Sequence, residues 1–268
     1  MVKIQYASRL FMNQHSILQA SRAVWPTKAP YLVLAGNCVH PDYKSTDDFF
    51  SYVSAKWKKI FLVPGILEHS SSAERPLCWQ TQADVLRKKA MNYKNIFICE
   101  HSIFREPEFT LIATPLGGAF LGARHELEAL DPPLKHFYTK DKTLRSMKFI
   151  NEEDQSFLCN ALRAEEGSTT PVVVATYQLP LLDLVGNKIM TNMAEGKQPP
   201  TGLTGTVSFL SPGIQRTLQR SNLPLKAWIA GASDASVSMV AETPAKTLYV
   251  TNSATSPGYK SDWFIEFS

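Results

Sequence analysis

Asn37 stands just past Tyr31-Leu32-Val33-Leu34-Ala35-Gly36, a run of apolar residues that ends in a glycine. Such a run reads as a buried strand stopping at a tight turn, and in open α/β sheets ligands bind beyond the carboxyl ends of the strands. The amide of Asn37 therefore sits where chemistry is expected. Six histidines are present, His15, His40, His69, His101, His125 and His136. His40 and His69 each fall a few residues beyond a strand-end turn, and with Asp234 they form a conceivable one-metal set; ordinary surface or loop histidines are the alternative reading. Gly117-Gly118-Ala119-Phe120-Leu121-Gly122 is glycine-rich. It lacks the Lys-Ser/Thr of a phosphate loop and the strand-turn-helix setting of a dinucleotide fingerprint, and reads as a flexible loop. No nucleophile-elbow pattern occurs.

Composition narrows the partners. Hydrophobic residues at 44% and charged residues at 19% are ordinary for a soluble globular chain with a sizeable core. The 28 Lys and Arg against 24 Asp and Glu leave a net charge of +4, too weak and dispersed to argue for nucleic acid. Lys56, Lys58 and Lys59 make the densest basic run, which reads as a solvated helix end rather than a phosphate-binding patch. Cys38, Cys78, Cys99 and Cys159 are widely spaced without a CxxC pair, as expected of reduced buried thiols in an intracellular protein. No apolar run approaches the ~20 residues that span a bilayer. Residues from Lys3 to Ala7 read as a core strand rather than a secretory signal. The absence of any acidic residue before Asp42, beside Lys3, Arg9, Arg22 and Lys28, leaves a cytoplasmic or a mitochondrial setting open.

The elements that must position these residues alternate between strand and helix. Strands are predicted at Val2–Ala7, Tyr31–Leu34, Ile60–Val63, Asn95–Cys99, Phe109–Ala113, Pro171–Ala175 and Lys226–Ala230, with a final pair at Val237–Ala241 and Thr247–Val250. A loosely helical stretch covers Leu10 to Val24. Ser45-Thr46-Asp47-Asp48 reads as a helix start running to about Lys58, and further helices are predicted at Cys78–Tyr93, Asn151–Ala164 and Pro212–Ser221. The spacing of Asn95–Cys99 and Phe109–Ala113 suggests a hairpin-like edge. Residues 117–148 read as an irregular insertion with one short helix at most, and residues 186–205 as a long surface loop. With no linker to divide it, the chain is expected to be a single domain over residues 1–268.

The order of strand-end turns resembles that of the calcineurin-like metallophosphoesterases over nearly the full length. That family places metal ligands in Asp-x-His, Gly-Asp, Gly-Asn-His-Glu, a lone His and Gly-His-x-His turns. The matching stretches here are Ser8-Arg9-Leu10-Phe11, Gly36-Asn37, Gly65-Ile66-Leu67-Glu68, Thr176-Tyr177-Gln178 and Gly231-Ala232-Ser233-Asp234. The resemblance implies an α/β fold, a four-layer αββα sandwich of two mixed sheets. It also implies that the ligand positions are now Arg9, Phe11, Asn37, Ile66, Leu67, Tyr177, Ala232 and Asp234. Paired metals about 3.5–4 Å apart need carboxylate and imidazole ligands. Only Asp234 supplies charged oxygen, Asn37 offers a neutral one, and Arg9 brings a permanent cation.

These readings predict no catalytic residues, no metal and no cofactor. The leading expectation is an inactive metallophosphoesterase-like protein, a pseudoenzyme that serves as a structural or interaction subunit with protein partners in a larger complex. A phosphate- or nucleotide-binding module without hydrolysis, and a phosphoesterase with a rearranged site, are the alternatives. Arg9 and Asp234 are expected either to pair across the old site or, for Arg9, to face solvent. Partner contact is expected of the two insertions and of the aromatic tail Ser256–Ser268, with packing of the tail on its own core as the alternative.

Overall fold

A computed structural model describes residues 1–11, 21–22, 24–69, 79–116, 144–181, 210–233, 236–241, 244, 246–254, 256 and 258–268, with backbone only at 79–81 and 144–149. Asp234, Cys78, His15, His125, His136, the glycine run 117–122, the loop 186–205 and most of the 10–24 segment lie outside the described residues.

Two mixed sheets pack face to face. In the first, β1 (Val2–Ala7), β2 (Tyr31–Ala35), β3 (Lys59–Val63) and β4 (Ile96–Ile98) run parallel, and β11 (Phe264–Phe267) closes the edge antiparallel to β1. The second is ordered β5 (Ser102–Arg105), β6 (Thr110–Thr114), β7 (Val172–Thr176), β8 (Leu225–Ala230), β10 (Leu248–Thr251) and β9 (Val237–Val240). Its two outermost strands are antiparallel to their neighbours. Alternation along each strand explains the layers. Tyr31, Val33 and Ala35 face the second sheet, while Leu32 and Leu34 meet Phe49, Phe50 and Val53 of α1 (Lys44–Ser54) and Leu86 of α2 (Trp79–Ala90). Leu158 and Leu162 of α3 (Leu144–Ala164) and Ile214 of α4 (Pro212–Leu218) join the core on the second sheet. The αββα order is the expected one.

Several local expectations are corrected. The helix expected from Ser45 starts at Lys44 after Tyr43, with no side-chain cap; the first-turn hydroxyl of Thr46 instead donates to the His40 carbonyl at 2.6 Å. The hairpin is made by Ser102–Arg105 and Thr110–Thr114, because the chain leaves the first sheet after β4 and enters the second at β5. Helix α3 begins at Leu144, inside the stretch read as irregular to Lys148, and Leu144, Met147 and Ile150 carry the helical spacing back into it. For the aromatic tail, the alternative of packing on its own core is the one observed: β11 joins the first sheet and Ile265 is core. Cys38, Cys99 and Cys159 are buried free thiols, as expected.

The crossing between sheets is held by charge. Glu100 meets Arg87 of α2 and the His69 ring (3.4 Å), and the next residue, His101, meets Asp154 of α3, which also accepts from the Thr114 hydroxyl at 2.9 Å. His101 has a positive φ of 46° and a half-exposed side chain, whereas Asp154 is buried. The bond to Asp154 raises the imidazole above its ordinary value of 6.5; burial opposes this, and Glu153 and Glu100 add to it. A raised folded value means that the stabilisation is complete below pH 6.5 and disappears as pH climbs through the raised value. The melting temperature should therefore fall across that window, and His101→Gln should flatten the fall. Thermal melts of both proteins from pH 5.5 to 8.5 check this, and parallel curves would contradict it.

Candidate functional site

The carboxyl ends of β1, β2, β3, β7 and β8 converge on Asn37. Its amide nitrogen donates to the Tyr177 hydroxyl at 3.0 Å, and its amide oxygen accepts from the Leu67 backbone N–H at 2.9 Å. Arg9 N–H donates to the Gly36 carbonyl and Phe11 N–H to the Asn37 carbonyl, at 2.9 and 3.0 Å. The Tyr177 carbonyl accepts from the N–H groups of Gly231 and Ala232, at 3.1 and 2.7 Å. Of the eight positions singled out in the sequence, Phe11, Asn37, Leu67, Tyr177 and Ala232 are thus joined directly, Arg9 is joined through Gly36, and Ile66 stands beside Leu67 in the same turn. Asp234 lies outside the described residues, so the Arg9–Asp234 pairing is not placed.

The local backbone is unusual. Arg9, Phe11 and Asn37 all adopt positive φ, at 55°, 47° and 54°, a region that bears a cost of order 1–3 kcal/mol for a side-chain-bearing residue and persists only where surroundings impose it. Here the impositions are the hydrogen bonds just described. The Arg9 guanidinium lies 5.2 Å from the centre of the Phe11 ring, a cation–π contact on the rim of the site. The Tyr177 ring presses on the glycine turns, and a β-carbon at Gly65 would lie 2.8 Å from both that ring and the Asn37 amide oxygen. Gly231 is tighter, because its β-carbon would fall 1.5 Å from the Ala35 carbonyl oxygen.

One residue carries more of the site than its sequence setting indicated. Glu68 is fully buried, and its carboxylate accepts four backbone N–H groups: Gly65 at 2.8 Å, Asn37 at 2.9 Å, Cys38 at 2.7 Å and Val39 at 3.1 Å. It fastens the turn after β2 to the turn after β3. Burial pushes its carboxyl above the usual range, and the backbone donors pull it back. A charged residue between Leu67 and His69, directly after a buried strand and turn, was the available signal. The two turn-proximal histidines are not surface groups. His40 is buried, with burial holding its imidazole below the ordinary value, and its Nδ1 accepts from the Asp42 N–H at 3.2 Å. His69 turns to Glu100, so the described pair does not assemble a metal site.

A dinuclear metal centre is what the fold resemblance implies, and the described residues do not fit one. Phe11, Ile66, Leu67 and Ala232 offer no side-chain lone pair. The Asn37 oxygen is engaged by Leu67, and the Arg9 cation borders the same turns. Among the described residues, no three His, Cys, Asp or Glu side chains are grouped to hold an ion. What the arrangement does do is cross-link five strand ends, through the Asn37, Tyr177 and backbone hydrogen bonds and through the Glu68 carboxylate.

Two substitutions test that cross-link. Tyr177→Phe strands the buried Asn37 amide N–H and should destabilise by about 1–3 kcal/mol. Gly231→Ala forces a methyl into a backbone carbonyl and should cost about 3 kcal/mol or more. Urea unfolding of each variant against the parent measures both, with the larger shift expected for Gly231→Ala.

No family model matches the chain, and no curated protein matches it. Solved structures do. The phosphopantetheinyl hydrolase of Mycobacterium tuberculosis superposes with a TM-score of 0.64 at 13% identity, over 95% of this chain and 90% of that one. A dimetal phosphatase from Danio rerio gives 0.52 at 11% identity, over 95% and 88%. GAP50, described as the anchor in the inner membrane complex of Plasmodium, gives 0.50 at 10% identity, over 98% and 77%. At these identities the likeness is one of fold: the chain has the architecture of the metallophosphoesterase-like structures.

Proposed function

We propose that the chain is a catalytically inactive metallophosphoesterase-like protein that acts as a structural or interaction subunit of a larger protein assembly. The observation that carries the reading is the Asn37 amide, which spends its nitrogen on Tyr177 and its oxygen on Leu67. A metal-bridging position needs an anionic oxygen directed at the ion; this one is neutral and directed at the protein. The apolar residues at Phe11, Ile66, Leu67 and Ala232 support the same reading, since carboxylates and imidazoles left without their ions would be costly to bury. The neighbours named for hydrolase or phosphatase activity supply the fold comparison, and the neighbour named as an anchor is a precedent for this architecture in a complex. Among the described residues no helix is long and apolar enough to cross a membrane.

Elemental analysis and turnover of bis(p-nitrophenyl) phosphate by the purified full chain test this. The expected result is no stoichiometric zinc, manganese or iron and no hydrolysis suppressed by chelator. Stoichiometric metal with chelator-sensitive turnover would establish the rearranged hydrolase instead. The assembly half of the proposal is tested by native fractionation of source material, in which the chain should run in a complex and not as a monomer.

A further inference from the structure

At the opposite end of the first sheet, the residues leading into three adjacent parallel strands bring lysines together. Lys28 precedes β2, Lys58 precedes β3 and Lys94 precedes β4. The lead-ins are locked side by side: Lys58 N–H donates to the Pro30 carbonyl and Ile60 N–H to the Asn95 carbonyl, both at 2.8 Å, and the Asn95 side chain donates to the Ser54 and Trp57 carbonyls. Neighbouring strands lie about 4.8 Å apart, so the lysines form a row along the rim.

The row has apolar company. Trp25 is 51% exposed and Met91 82% exposed. The Lys56 ammonium stands 5.6 Å from the centre of the Trp25 ring. Gln5 fixes the Trp25 loop by donating to the Val24 and Pro26 carbonyls, at 3.1 and 3.2 Å, and accepting from the Lys28 N–H at 3.1 Å. Lys58 turns to the Tyr31 hydroxyl and Lys59 to Glu106. Arg22, Lys28, Lys56 and Lys94 are exposed and form no ion pair with a carboxylate among the described residues. Lys56, of the run read in the sequence as a solvated helix end, is therefore one part of a larger patch assembled from three connections.

We infer that this rim is a docking surface for an acidic segment of a protein partner, with apolar side chains that seat on Trp25 and Met91. Arg22, Lys28 and Lys94, with Lys56 beside the Trp25 ring, supply the complementary charge, and an exposed tryptophan whose loop is bonded by Gln5 is the kind of anchor that dominates protein interfaces. A polynucleotide fits less well. It would gain from only a handful of phosphate contacts and would leave Met91 unused. The inference goes beyond the proposed function, because this face lies away from the Asn37 turns and would stand equally on an active hydrolase.

The test uses the full chain and a fluorescein-labelled peptide alternating glutamate and leucine, read by anisotropy. Binding should be saturable and weaken as salt rises. Charge reversal in Lys28→Glu/Lys56→Glu/Lys94→Glu should weaken it about tenfold or more, and Trp25→Ala about tenfold with the salt dependence kept. Circular dichroism verifies that the variants are folded. An oligo(dT) strand and phosphatidylserine vesicles are run beside the peptide. Tighter binding of either, equal binding by the charge-reversed variant, or no peptide binding would overturn the inference. None of these outcomes bears on metal content or hydrolysis.

Discussion

A single buried carboxylate organises the end of the sandwich where chemistry is expected. Glu68 accepts four backbone N–H groups from the turns after β2 and β3. Those donors point away from either strand's ladder and would otherwise be buried unsatisfied, at a cost of about 1–3 kcal/mol each. With Gly65 and Asn37 held by one carboxylate, the Asn37 side chain has a fixed direction. It can then reach Tyr177 in the second sheet and Leu67 in the first. The positive φ values at Arg9, Phe11 and Asn37 are sustained by the same network. A second stitch holds the sheets nearby, where Ser8 N–H donates to the Asn252 carbonyl and Ala254 N–H to the Ser8 carbonyl, both at 3.0 Å.

On the proposed reading, replacing metal ligands one at a time would be unfavourable in such a place. Carboxylates gathered around an absent dication repel one another and lose hydration together. An amide at position 37 removes that charge but introduces two polar ends that must be satisfied. Here Tyr177 answers one and Leu67 N–H the other, so position 177 gains a hydroxyl where the resemblance implies an imidazole. The Tyr177 ring also needs room, which Gly65 supplies by lacking a side chain. On the proposed reading, Asn37 and Tyr177 form a coupled replacement whose parts make little sense separately.

The strand-end framework was legible because it is local: an apolar run with a glycine after it predicts both the strand and the turn, as at Val63-Pro64-Gly65 and Ile229-Ala230-Gly231. Long-range pairing was not. Short segments such as Ser102–Arg105 and Phe264–Phe267 become strands because β6 and β1 offer open edges, a fact absent from their own composition. The same limit applied to the site. Glu68 could be seen as a charge after a buried strand, but its four donors come from two turns separated by the whole of α1. His40 and His69 lie close to turns in sequence, yet the partners of their rings are the Asp42 N–H and Glu100.

The two ends of the first sheet have different physical characters, and this follows from strand direction. At the carboxyl ends, β1, β2 and β3 release chain into turns whose polar groups bond each other, so the described surface there is largely committed to the protein itself. At the amino ends the chain arrives through Pro30, Lys58 and Asn95, whose backbones are paired but whose flanking side chains, Lys28, Lys56 and Lys94, extend outward. Exposed lysines alone are weak attractors, because water and salt screen them within about a Debye length of 8–10 Å. Trp25 changes that balance by adding apolar area that a partner can cover, with Lys56 already held against its ring. The Asn37 turns are closed by internal bonds, and the opposite edge is shaped by backbone pairing that does not depend on them.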